Sequence, residues 1–210
     1  MDKSIIREMS KTFSDKSLRK KIGKIFKWGK NFVRILKYKI LYGERFQCQL
    51  FSSKPTYIGR NCKVKIEKDG MIVLASGVYL DDYCLLEASG GKIEISENVY
   101  FNTFSRVIAK NEVKIGANSM FGSNVSIYDH DHDTNEGVLN AGRKFVVVPV
   151  IINNEVWCGT NVVIVKGSRI GSNCVVGANS LVNGKLDNNY LYVGNPVKAL
   201  KKINDGSERV

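Results

Sequence analysis

No stretch of this chain approaches the ~20 predominantly apolar residues that a helix needs to cross a bilayer. A secretory h-region is missing too, so the sequence predicts a chain that stays in the cytoplasm. The five cysteines, Cys48, Cys62, Cys84, Cys158 and Cys174, show no paired metal-type spacing, which argues against a zinc site and for reduced, buried thiols. Histidine is scarce: His130 and His132 are the sole pair, so imidazole chemistry can be sought in one place. No base-reading motif accompanies the basic residues, and nucleic acid is therefore not an expected partner.

The formal charge of +12 belongs mostly to one end. Residues 1–45 hold fourteen Lys or Arg against four Asp or Glu, a net +10, which leaves +2 for the rest. In that segment Leu18, Ile22, Ile25, Phe26, Val33, Leu36 and Ile40 recur at mostly three- and four-residue steps between lysines, a helical pattern. Two roles fit a basic amphipathic helix over residues 1–50: a cap packed on the neighbouring fold or a second subunit, and a surface lying on an anionic membrane.

What the rest of the chain has is a six-residue phase. Ile152, Cys158, Ile164, Ile170, Val176 and Val182 are six apart without a slip, with Val156, Val162, Ser168, Cys174 and Ser180 two residues before each later member. Shorter stretches repeat it upstream: Ile58 and Val64; Leu74, Leu80 and Leu86; Ile95, Phe101 and Val107; Ile115, Phe121 and Ile127. A hexad is one short strand plus a turn and cannot bury its own face, so it must stack. Three hexads make one triangular coil of a parallel β-helix, about eighteen residues, and roughly five to six coils fit between residues 56 and 187. A β-sandwich would show alternation of period two and strands of variable length. The phase breaks near residues 66–73, 87–94 and 108–114 read as loops between coils. Glycine after the aliphatic residue, as in Ile58-Gly59, Phe121-Gly122 and Val176-Gly177, reads as a turn position with positive φ.

The longest interruption, over residues 128–151, opens with Tyr128-Asp129-His130-Asp131-His132-Asp133. An extruded loop on a rigid scaffold is where function is usually carried. Carboxylates beside a histidine orient it and keep it basic.

Over residues 56–203 the chain resembles the hexapeptide-repeat acyltransferases, in the galactoside, maltose and polysaccharide O-acetyltransferase branch that uses acetyl-CoA. The resemblance rests on the hexads and on Asn124-Val125-Ser126-Ile127-Tyr128 leading into the His-bearing loop. It continues through Asn154-Glu155-Val156-Trp157-Cys158-Gly159, Val176-Gly177-Ala178-Asn179-Ser180-Leu181-Val182 and a tail beginning Gly194-Asn195-Pro196-Val197-Lys198-Ala199-Leu200-Lys201. It implies an all-β solenoid, a left-handed β-helix over 56–187, with a tail over 188–210 near the CoA site. It also implies a homotrimer with active sites between subunits, no metal requirement, and a loop histidine as general base. The hand comes from the resemblance, since parallel crossovers are usually right-handed.

Laid without gaps from Asn124, the family histidine falls on His132, with His130 as the alternative. Trp157 falls where relatives border the pantetheine, although an aromatic at a subunit contact fits equally. Thr160 and Ala178 fall where relatives line the CoA groove, and Lys185, Lys198 and Lys201 near cations that meet CoA phosphates. Asn102, Asp129 and Asp131 are the acceptor-side candidates. Ala109 and Lys110 replace an acidic pair of galactoside-type relatives, and Asp133 replaces the usual proline after the histidine. Both departures point from a free galactoside toward a bacterial surface polysaccharide (capsule, lipopolysaccharide or wall glycan) or its precursor.

Rival classes are an amino-sugar N-acyltransferase, a serine O-acetyltransferase and a non-catalytic β-helix binding module. A γ-class carbonic anhydrase would need three zinc-binding histidines, which His130 and His132 do not supply.

Overall fold

In a computed structural model, which describes residues 16–135, 137–138 and 144–203, the hexad phase is the register of three sheets. Ile152 and Ile170 are partners on the first face, Cys158 and Val176 on the second, and Ile164 and Val182 on the third. Eighteen residues therefore carry the chain once around and one strand spacing up, and every coil-to-coil pairing is parallel. These six side chains are all at or below 1% exposure, so each turn feeds three apolar groups into a continuous core. Burial of each is worth roughly 1.5–3 kcal/mol.

The upstream coils are longer. On the second face Ile58, Leu80, Phe101 and Phe121 are successive partners, advancing by 22, 21 and 20 residues. The expected loops at 66–73, 87–94 and 108–114 are absent. Instead the third-face strands Lys63–Glu67, Leu85–Ser89 and Arg106–Ala109 run on to a second inward residue, Ile66, Ala88 or Ala109, and then turn tightly into Met71–Leu74, Lys92–Ile95 and Glu112–Ile115. Extra length was spent on wider faces. Phe101 and Phe121 stack inside at 4.4 Å between ring centroids, filling that extra width.

The turn chemistry also differs from the glycine reading. Left-handed backbone at the corners is carried chiefly by asparagine: Asn124, Asn161 and Asn179 have φ of 58°, 60° and 60°. Their amides form a ladder, Asn124 Nδ2 donating to Asn161 Oδ1 at 2.8 Å and Asn161 Nδ2 to Asn179 Oδ1 at 3.0 Å. Glycine is required for closeness instead: a Cβ on Gly159 would sit 2.7 Å from the Ala178 nitrogen one coil above.

The coil ladder extends past the expected span. Phe46–Cys48 pairs with Ile72–Leu74 as the first strand of the first face, and Tyr190–Gly194 continues the second face before reversing into Val197–Lys202. The helix expected in the basic segment is α1, Lys16–Tyr42. The chain divides into two units, up to Lys37 and from Tyr38. Within the second, the end of the helix meets the coils: Tyr38 Oη donates to the Cys62 carbonyl at 2.9 Å and Tyr42 Oη to that of Val64 at 3.1 Å. Residues 1–15 and 204–210, and the side chains of Leu18 and Ile22, lie outside the described residues. No described helix is long and apolar enough to cross a membrane.

All five cysteines are free, and Cys62, Cys84, Cys158 and Cys174 are buried. The hydrogen bond with Cys62 and burial push the Cys84 thiol upward, and burial does the same to Cys158. Such thiols are packing groups.

Candidate active site

The 128–151 interruption is not an irregular loop. It leaves the third face after Ser126–Tyr128, runs out as His130–His132, returns antiparallel as Phe145–Val147, and rejoins the first face at Val150–Ile152. His130 pairs with Val147 and His132 with Phe145.

Asp129 fixes the base of this hairpin. The residue is fully buried, and its carboxylate accepts the backbone N–H groups of Lys110 at 2.9 Å and Asn111 at 2.6 Å. Its third partner is His130 Nδ1 at 2.9 Å. Asp129 was expected on the acceptor side; the structure shows it buried, with its carboxylate held by these three partners. Asp131 was expected there too. Its side chain is half-exposed and pairs with Lys166 Nζ at 2.5 Å, tying the hairpin to the next coil.

The two histidines differ. The His130 side chain is 12% exposed and turned onto Asp129, whereas His132 is exposed on the rim. Phe145, which the sequence reading passed over, contacts both: its ring centroid lies 5.5 Å from that of His130, edge-on, and 4.8 Å from that of His132. Lys110 Nζ sits 3.9 Å from the same ring centroid, a cation–π contact. The signal for Phe145 was present, an apolar Phe145-Val146-Val147-Val148 run within an interruption read as loop.

The cofactor candidates fall on a different edge of the prism. Trp157 lies on the second face, 53% exposed, between Met120 and Val175 in the ladder. Thr160 and Ala178 follow at the corner between the second and third faces in successive coils, with Asn179 N–H donating to the Thr160 carbonyl at 2.9 Å. Asn102 stands at the same corner two coils before Thr160, where its Oδ1 accepts the Thr103 N–H at 2.8 Å. Lys198 and Lys201, both exposed, lie on the strand that extends the second face, opposite Val193 and Leu191. Lys185 is not with them. It lies on the first face beside Arg169, its ammonium 3.4 Å from Asp187. The histidine hairpin leaves the third-to-first corner, so one chain does not bring the two groups together.

Among the described residues no cluster of His, Cys, Asp or Glu could hold a metal ion.

No protein-family model matches the chain. It is 32% identical over 159 residues to a protein of Escherichia coli K12 provisionally named lipopolysaccharide biosynthesis O-acetyl transferase WbbJ, covering 69% of this chain and 81% of the relative. It is 33% identical over 116 residues to the E. coli K12 galactoside O-acetyltransferase, covering 55% of this chain and 57% of that one. Among solved structures it superposes on the S84C mutant of AntD, an N-acyltransferase from Bacillus cereus in complex with dTDP-4-amino-4,6-dideoxyglucose and coenzyme A. The TM-score is 0.56 at 26% identity, over 70% of this chain and 82% of AntD. Parallel coils in hexad register and a match running through most of a relative named as a lipopolysaccharide biosynthesis O-acetyl transferase describe one lineage: the chain belongs to the hexapeptide-repeat acyltransferases, left-handed parallel β-helix enzymes, in the branch of the galactoside, maltose and polysaccharide O-acetyltransferases.

Proposed function

We propose that this acyltransferase moves an acetyl group from acetyl-CoA to a sugar hydroxyl of a bacterial surface polysaccharide or its precursor, with His132 as general base. The reading places the reaction in the cytoplasm, which suits five free cysteines. One observation carries it: the histidine hairpin and the Trp157–Thr160–Ala178 edge leave different corners of the coil stack. Each site is therefore built from two copies, His132 of one subunit facing the cofactor edge of the next in a closed homotrimer.

The choice of His132 follows from exposure. His130 is turned onto a buried carboxylate, while His132 stands on the rim with Phe145 behind it. A neutral imidazole takes the proton of the acceptor hydroxyl as the oxygen attacks the thioester carbonyl. The tetrahedral oxyanion then collapses, the C–S bond breaks, and the imidazolium returns its proton to the leaving thiolate. Backbone N–H groups at the coil corners suit the oxyanion. On the cofactor edge Trp157 borders the pantetheine, Thr160 and Ala178 present backbone to it, and Lys198 and Lys201 supply cations for phosphate. Lys185 has no part in this arrangement.

Amino-sugar N-acylation is the second reading, and the superposition on AntD favours it. An amine loses its proton more readily and relies less on an oriented base. The test is thiol release from acetyl-CoA with a panel of bacterial glycans, sugars, amino-sugar nucleotides and serine, in the parent and in His132→Ala. Turnover on a glycan that falls by about 10²–10⁴ in the variant supports the O-acetyl reading. Turnover on an amino-sugar nucleotide that survives the substitution contradicts it.

A further inference from the structure

The first unit holds a feature that acyl transfer does not use. Along α1, residues Lys16–Tyr42 include ten basic residues and no acidic one. At 100° per residue Ile25, Phe26, Val33 and Leu36 share one side of the helix. All four are exposed, at 71%, 66%, 64% and 41%. Beside them Gly29 leaves a shallow groove of about 550 Å³, lined also by Lys30 and Arg34. No charged residue interrupts the stripe, yet cations flank it: Lys30, Arg34 and Lys37 fall along one border on the helical wheel.

We infer that this face is an interfacial membrane anchor that lies on anionic phospholipid, its apolar stripe in the headgroup boundary and its lysines on the lipid phosphates. An apolar stripe bordered by cations, on a helix that carries ten basic residues and no acidic one, has the composition of helices that lie in a bilayer surface. Charge chooses between lipid and a second copy of the chain. A self-paired helix would set ten cations against ten with no acidic partner on either strand, whereas an anionic leaflet supplies the opposite sign along the whole face. The anchor would hold the enzyme at the surface where lipid-linked glycans are assembled. This inference stands apart from the acyl-transfer reading, since vesicle binding requires no turnover.

The test is flotation of the full chain with vesicles of phosphatidylcholine alone or with about one-third phosphatidylglycerol, in low and high salt. Binding to the anionic vesicles should exceed that to neutral ones about tenfold or more and fall severalfold in high salt. Val33→Glu/Leu36→Glu should lose it about tenfold while thiol release with a soluble acceptor is unchanged. Equal binding to both vesicles, or undiminished binding by the variant, overturns the inference. So does a fall in the lipid-free oligomeric mass of the variant by sedimentation, because a second copy would then be the occupant. Val33→Ala/Leu36→Ala, which keeps the helix and adds no charge, should show an intermediate loss. No loss in that variant would assign the glutamate effect to repulsion and likewise overturn the stripe's role.

Discussion

Residues Phe46–Tyr128 and Val150–Gly194 find strand partners in the coil above or below, whereas the hairpin between them pairs with itself and is tied down at its base by one carboxylate. The stack is redundant. Its core is a column of side chains, each repeated at the next turn, so strain is shared over many coils. The hairpin has no such repetition: Asp129 below, the Asp131–Lys166 pair at the side and Phe145 across the strands hold it in place. Rigidity and the exposed histidine are thus separated, with His132 on the part that packing determines least.

Four substitutions sharpen that contrast. Phe101→Ala empties half of the stacked pair with Phe121 and should cost about 3–5 kcal/mol. A domain of this size should lose ~2–4 °C per kcal/mol in a thermal scan, with activity lost in step with unfolding. Asp129→Ala leaves the Lys110 and Asn111 N–H groups and His130 without their acceptor, a cost of about 2–3 kcal/mol. Turnover at a temperature where the variant remains folded should nevertheless fall at least tenfold, because the hairpin loses its anchor. A fully active, folded Asp129→Ala would break the contrast.

Gly159→Ala forces a Cβ to within 2.7 Å of the Ala178 nitrogen, and backbone of the next coil must move. We expect a loss of about 1–3 kcal/mol in denaturant titration, with a raised KM for acetyl-CoA since the shift falls on the cofactor edge. Asp131→Ala removes an ion pair whose members are 53% and 28% exposed, so less than about 1 kcal/mol should be lost. If that variant unfolded the protein, the hairpin would be part of the structural core.

The sequence was read best where one physical rule acts repeatedly. Inward positions such as Ile152 and Ile170, or Ile164 and Val182, were legible because each must be apolar for the same reason as its neighbour on the next turn. Lengthened coils were not, since Ile66, Ala88 and Ala109 add an inward residue without restoring the phase. Gly59 and Gly122 look like positive-φ glycines in sequence; contact with the next coil, which no local pattern encodes, makes them glycine. At the site, the motif singled out both histidines but not their difference. That depends on Asp129 being buried under Lys110 and Asn111, eighteen or more residues earlier in the chain. Phe145 was missed because its strand pairs locally and carries no hexad. Lys185 was grouped with Lys198 because the resemblance sets both near cations that meet CoA phosphates, but the two lie on different faces.

The central claim is that one subunit supplies the base and its neighbour the cofactor edge. Subunit complementation tests it directly: His132→Ala and Ala178→Trp, each inactive alone, are unfolded, mixed in equal amounts and refolded, with hybrid formation checked by native mass spectrometry. Because each site then needs one intact contribution from each variant, the mixture should regain about a quarter of parental thiol release. Hybrids that form and stay as inactive as their parents would place both groups in the same subunit and contradict the account.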